Sequence, residues 1–166
     1  EQEVGIPLGS LELKGSLTVP DGAQGLVVFV HGSGSSRFSS RNRYVARTLN
    51  ESGMATLLFD LLSAGEERID QVTAELRFDI PLLTERVLEV TEWLRDRPST
   101  AGLPLGYFGA STGAAAALAA AARIDDVKAI VSRGGRPDLA LSYLSAVKAP
   151  VLLIVGGEDR VVIDMN

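Results

Sequence analysis

LPLGYFGASTGAAAALAAAARI, residues 103 to 124, is the stretch that decides the fold. Leu103 to Phe108 is mostly apolar, as expected of a strand buried on both faces of a parallel sheet. Gly109-Ala110-Ser111-Thr112-Gly113 follows without a spacer, and Ala114 to Arg123 reads as a helix made almost wholly of alanine. A strand therefore runs straight into a helix with one serine at the join. Such a turn strains the serine backbone and lifts its hydroxyl above the sheet. Only small neighbours fit where strand, turn and helix nearly touch, and Gly109, Ala110, Gly113 and Ala114 to Ala117 are all small. The helix amides then face the place where an oxyanion would form. The simpler alternative is a serine that only caps the helix.

Outward from this elbow, buried strands are expected at Leu26 to Val30 and Ala55 to Leu62, and further strands at Val127 to Ser132 and Pro150 to Val155. Helices are expected over 40–52, over much of 71–97 and over Pro137 to Val147. Gly53 stops the first helix, and Pro81 must sit at a helix start or a break. Ser63 to Asp70 reads as a polar, acidic loop. Near the N-terminus, Leu11, Leu13, Leu17 and Val19 alternate about Lys14-Gly15 and suggest short antiparallel strands. Strands alternating with helices give an α/β domain over 1–166, mainly a parallel sheet with helices on both faces.

Two further loops follow strands. His31-Gly32-Ser33-Gly34 is rich in glycine, so its backbone N–H groups can face the mouth of the sheet. Ser33 N–H is expected to pair with Thr112 N–H around an oxyanion. His31, the one histidine, is expected to order its own loop. Gly156-Gly157-Glu158-Asp159 follows a late strand, where this architecture keeps an acid. Asp159 is the first choice and Glu158 the second. The order serine, acid, histidine puts the base after Asp159, and Arg160 to Asn166 contains no histidine.

These residues resemble the α/β-hydrolase superfamily, and within it the dienelactone-hydrolase-like branch, which includes forms fused to phosphoribosyltransferases. The resemblance rests on LVVFVHGSGSS, ATLLFDLL, LRFDIPLLTERV, GYFGASTGAAAAL and APVLLIVGGEDRVV. It implies Ser111 as nucleophile, Asp159 as acid, Ser33 and Thr112 as oxyanion donors, and Gly32, Gly34, Gly109 and Gly113 as supports. Ser111 stands where true dienelactone hydrolases carry cysteine. The family continues with a helix, another strand and a histidine loop, so the domain is expected to be incomplete, with its last strand and helix missing. The implied activity is a serine hydrolase of small esters, thioesters or lactones that needs no metal or cofactor. The alternative is an inactive remnant that keeps the pocket as a binding or structural module.

Composition narrows the partners. No cysteine is present, which removes disulfides, a thiol nucleophile and a cysteine-held metal. A net charge of −5, with scattered Lys and Arg, argues against nucleic acid. No apolar run is long enough to span a bilayer, and no signal segment is seen, so a cytoplasmic setting without a membrane partner is expected. No G-x-G-x-x-G sits on the first strand, which argues against a dinucleotide site. The expected ligand is a small acyl compound. Arg37, Arg41, Arg43 and Arg133 could favour an acidic one, although surface arginines are commonly just solvated. The apolar strand ending at Val155 would be a bare sheet edge, so self-association or strand exchange is expected.

Overall fold

Apolar residues at consecutive positions force a strand to be covered on both faces, and this arranges the centre of the sheet. In the computed structural model, which describes residues 1–166, strands β3 (Leu26–Val30), β4 (Ala55–Phe59) and β5 (Leu105–Ala110) lie inside a seven-stranded sheet. The others are β1 (Gln2–Leu8), β2 (Leu11–Thr18), β6 (Val127–Arg133) and β7 (Val151–Ile154), in the order β1-β2-β4-β3-β5-β6-β7. β1 and β2 pair antiparallel, as do β2 and β4, and the remaining neighbours are parallel.

Side chains alternate between the two faces of the sheet. Val28 and Val30 join a large core with Leu83, Val87 and Val90 of helix α3 (Ile80–Arg95) and the alanines of α4 (Thr112–Ala121). Phe29 points to the other face and joins Leu58, Phe108 and Ala46 of helix α1 (Ser40–Glu51). Three short helices complete the chain: α2 (Ala64–Thr73), α5 (Leu141–Leu144) and α6 (Arg160–Asp164).

The alanine helix has a direct structural use. All of its residues are buried, and short side chains let it lie close to the sheet. A Cβ added at Gly113 would sit 2.2 Å from the carbonyl oxygens of Val30 and His31. One at Gly109 would sit 2.4 Å from Ala114 Cα. The elbow is thus pressed against the ends of two strands at once.

Two expectations need correction. The β1–β2 turn lies at Gly9-Ser10, where Gly9 takes φ +61, and Lys14-Gly15 is mid-strand. Gly15 packs closely there: a Cβ would lie 3.1 to 3.3 Å from the side-chain tips of Leu57, Val4 and Ile6. Most of the expected loop at 63–70 is helix α2, started by a reciprocal capping box between Ser63 and Glu66. The strand over Pro150 to Val155 forms the outer edge of the sheet, with Val151 to Ile154 all exposed. Pro81 does sit in the first turn of α3, behind an Asp79 cap.

Candidate active site

Ser111 occupies the first turn out of β5 with φ 51 and ψ −126, one of two non-glycine residues at positive φ. A side-chain-bearing residue avoids that region unless its surroundings hold it there. Here they do. Ser111 N–H donates to the Arg133 carbonyl at 3.4 Å, and the Ser111 carbonyl accepts from Ala114 N–H and Arg136 N–H, both at 3.1 Å. Although Ser111 occupies the cap position of α4, its side chain makes no capping hydrogen bond. The simpler alternative, a helix-capping serine, lacks the bond that would define it. The strained backbone therefore has another consequence: a partly exposed hydroxyl at the N-terminus of a buried helix.

The glycine-rich loop after β3 packs against Ser111. A Cβ at Gly32 would meet Ser111 Cβ at 2.9 Å, so only glycine lets the loop approach. Gly34 turns the loop with φ +68. Ser33 and Thr112 are brought together, but Ser33 N–H donates to the Thr112 hydroxyl at 3.0 Å. That donor is engaged rather than open. Thr112 is itself buried.

His31 is buried with both ring nitrogens occupied. Nδ1 meets the Gly32 carbonyl at 2.9 Å, and Nε2 accepts from Leu61 N–H at 3.1 Å. This pairing puts the ring proton on Nδ1. Burial lowers its pKa, outweighing the Gly32 bond that would raise it. The side chain ties the loop after β3 to the segment after β4.

Asp159 stands apart. It is exposed, and its carboxylate accepts from Val162 N–H at 3.2 Å as the cap of α6. No hydrogen bond links it to Ser111 or to His31. Glu158 is exposed as well.

Other groups at the site were not foreseen. Asp70 and Arg77 help line a cavity of about 20 Å³ beside Ser33 and Thr112, room for about one water. Arg77 Nε donates to Asp70 Oδ2 at 2.6 Å and Arg77 N–H to Oδ1 at 3.1 Å. Burial pushes the Asp70 carboxyl up, but these bonds outweigh it and leave the group below its ordinary range. Arg136 was missed too, because it holds the elbow through its backbone. Gly134 and Gly135 just before it were the available signal: Gly134 takes φ +51, and a Cβ at Gly135 would lie 1.9 Å from Ser132 Oγ.

The profile of the dienelactone hydrolase family matches residues 13–166. The chain belongs to that family. A dienelactone hydrolase from Anabaena variabilis, known from its crystal structure, is 59% identical and superposes with a TM-score of 0.96 over 99% of this chain and 78% of its own. An esterase of Pyrococcus furiosus shares the fold at 20% identity, with a TM-score of 0.77 over 93% of this chain and 70% of its own. Two Mycobacterium tuberculosis proteins provisionally named phosphoribosyl transferases are 57% identical across all of this chain. The chain spans 37% of their length. No helix is long and apolar enough to cross a membrane.

Proposed function

We propose that this domain is a serine hydrolase of small esters, thioesters or lactones, working through an acyl-enzyme on Ser111. The observation that carries the reading is a serine held at positive φ whose hydroxyl is not spent on capping its helix. The strain has a cost in folding, and a free hydroxyl at a helix N-terminus is what it achieves.

In the proposed reaction Ser111 Oγ attacks the carbonyl carbon and its proton passes to a base. The carbonyl oxygen becomes an oxyanion, held by the N–H groups of Ser33 and Thr112 and by the positive end of α4. It replaces the Thr112 hydroxyl that Ser33 N–H meets in the resting structure. Collapse expels the alcohol or thiol, which takes up the proton, and water releases the acyl group by the same route. His31 is not that base, since neither ring nitrogen is free. The base we propose is a histidine of the longer protein, following Asp159 in the order usual for this fold, with Asp159 orienting it. Lacking such a base, the oxyanion donors and binding would retain only about 10³–10⁴-fold over water.

A second reading is a binding module that keeps the pocket without turnover. It is favoured by the exposed position of Asp159, whose carboxylate is used as a helix cap. The transferase name of the mycobacterial proteins we assign to the part of them outside the match. A fluorophosphonate probe separates the readings. The full-length protein should be labelled, and Ser111→Ala should abolish labelling. Equal labelling of both, or none of the wild type, would refute the hydrolase.

A further inference from the structure

Five threonines are buried: Thr56, Thr84, Thr91, Thr100 and Thr112. Four of them spend the hydroxyl proton on an acceptor. Thr84 donates to the Ile80 carbonyl at 2.7 Å, Thr91 to the Val87 carbonyl at 2.8 Å and Thr100 to the Leu94 carbonyl at 2.6 Å. Thr56 donates to Asn50 Oδ1 at 3.4 Å. Thr112, the residue after the proposed nucleophile, donates to nothing. Its Oγ1 only accepts, from Ser33 N–H at 3.0 Å. The cause is its position. A threonine inside a helix can give its proton to the carbonyl one turn back, as Thr84 and Thr91 do. Thr112 opens α4, so the residue four back is Phe108 of β5, and no helical carbonyl lies behind it. A buried donor without an acceptor is destabilising, so this proton is kept at a cost to the resting fold.

Where that proton can go follows from the neighbours of Oγ1. In the proposed reaction the oxyanion touches two main-chain donors, Ser33 N–H and Thr112 N–H. The Thr112 hydroxyl lies 3.0 Å from the first donor and belongs to the same residue as the second. It also borders the small cavity beside Ser33. An oxygen seated between the two N–H groups therefore lies next to Oγ1. When that oxygen takes the Ser33 N–H, the hydroxyl loses the one bond it had. Rotation about the Cβ–Oγ1 bond then turns its unspent proton onto the new oxygen.

We propose that the Thr112 side chain is a further catalytic residue, a third oxyanion donor that engages when the tetrahedral intermediate forms. The proton stays on Thr112 throughout, and only its hydrogen bond changes. A hydrogen bond to a charged oxygen is stronger than one to the neutral carbonyl, so the hydroxyl favours the transition state over the bound substrate and acts on kcat. The proposal rests on the hydrolase reading. It adds a donor that a substitution can remove, which is not true of the two main-chain donors.

The test compares full-length wild type, Thr112→Val and Thr112→Ser on 4-nitrophenyl acetate and against hexyl trifluoromethyl ketone, which adds to a serine hydroxyl and leaves an oxyanion. Valine keeps the outline of threonine without the hydroxyl. It should lower kcat by about 10²-fold, the usual loss for one oxyanion donor, with KM little changed. Inhibition by the ketone should weaken by a similar factor. Serine restores the hydroxyl and should recover most of both. If valine prevents folding, Thr112→Ala set against Thr112→Ser gives the same comparison. A valine variant as fast as the wild type would overturn the proposal. So would a faster one, because the hydroxyl would then only block Ser33 N–H. An equal loss in the serine variant would overturn it too, since that marks a role in packing. A wild type that cleaves no ester and resists the fluorophosphonate would overturn the hydrolase reading itself, and the third donor with it.

Discussion

The elbow and the C-terminal end of the chain are built to different standards. Every residue of α4 is buried, whereas no residue of β7 or α6 is. Ser111 stands on the first and Asp159 on the second. A nucleophile's geometry must be fixed to a fraction of an ångström, and close packing supplies that. Asp159 sits instead at the start of a five-residue helix, where a capping bond alone holds its carboxylate. Ser111 therefore stands on a helix packed on all sides, whereas Asp159 stands on an exposed one.

The largest effect tests whether the weakly held end matters to chemistry. In the full-length protein, Asp159→Ala should lower kcat by about 10⁴-fold, the usual loss when a triad acid is removed. Its stability should fall by only about 1 kcal/mol, the value of a helix cap. Ester turnover and urea unfolding measured on one preparation give both numbers. A change in kcat no larger than the stability change implies would reduce Asp159 to a cap.

The next effect contrasts packing directly. Gly113→Ala forces a methyl group to within 2.2 Å of two backbone carbonyls and should cost about 3 kcal/mol or more. Gly157→Ala meets nothing within 4 Å and has no positive φ, so it should change stability by less than about 0.5 kcal/mol. Denaturant midpoints at unchanged slope are the measurement. Similar losses at both sites would show that the C-terminal end is packed after all.

What could be read in the sequence follows the same division. The elbow was legible because its cause is local: small residues at fixed spacing between an apolar strand and a helix. The sheet centre was legible for a similar reason, since LVVFV and ATLLF admit no exposed face. Helix α2 was equally local, and Ser63-x-x-Glu66 was its written signal, but the acidic composition of the segment suggested a loop. The hairpin turn was misplaced because two glycines competed, and only packing against Leu57 fixes Gly15 in mid-strand. The exposure of β7 was foreseen along its free edge but not on its faces, because apolar residues alone do not say what covers them. The bond between Arg133 and Asn42 spans 91 residues and leaves no mark at either position.

The smallest expected change in stability bears on the edge itself. The two outer strands differ: β1 carries Glu3 and Pro7, which discourage pairing with another chain, whereas β7 is Val-Leu-Leu-Ile with no charge. Leu152 is 57% exposed, so replacing it removes little buried surface. Leu152→Lys should therefore shift stability by less than about 0.5 kcal/mol. Residues 1–166 prepared alone should self-associate through β7, and the lysine should return them toward monomer, as read by light scattering after size exclusion. In the full-length protein the substitution should cost more if a further segment of the chain lies over β7, because a buried lysine must then lose its water. That difference between short and long forms separates an edge that other copies seek from one that the protein itself covers.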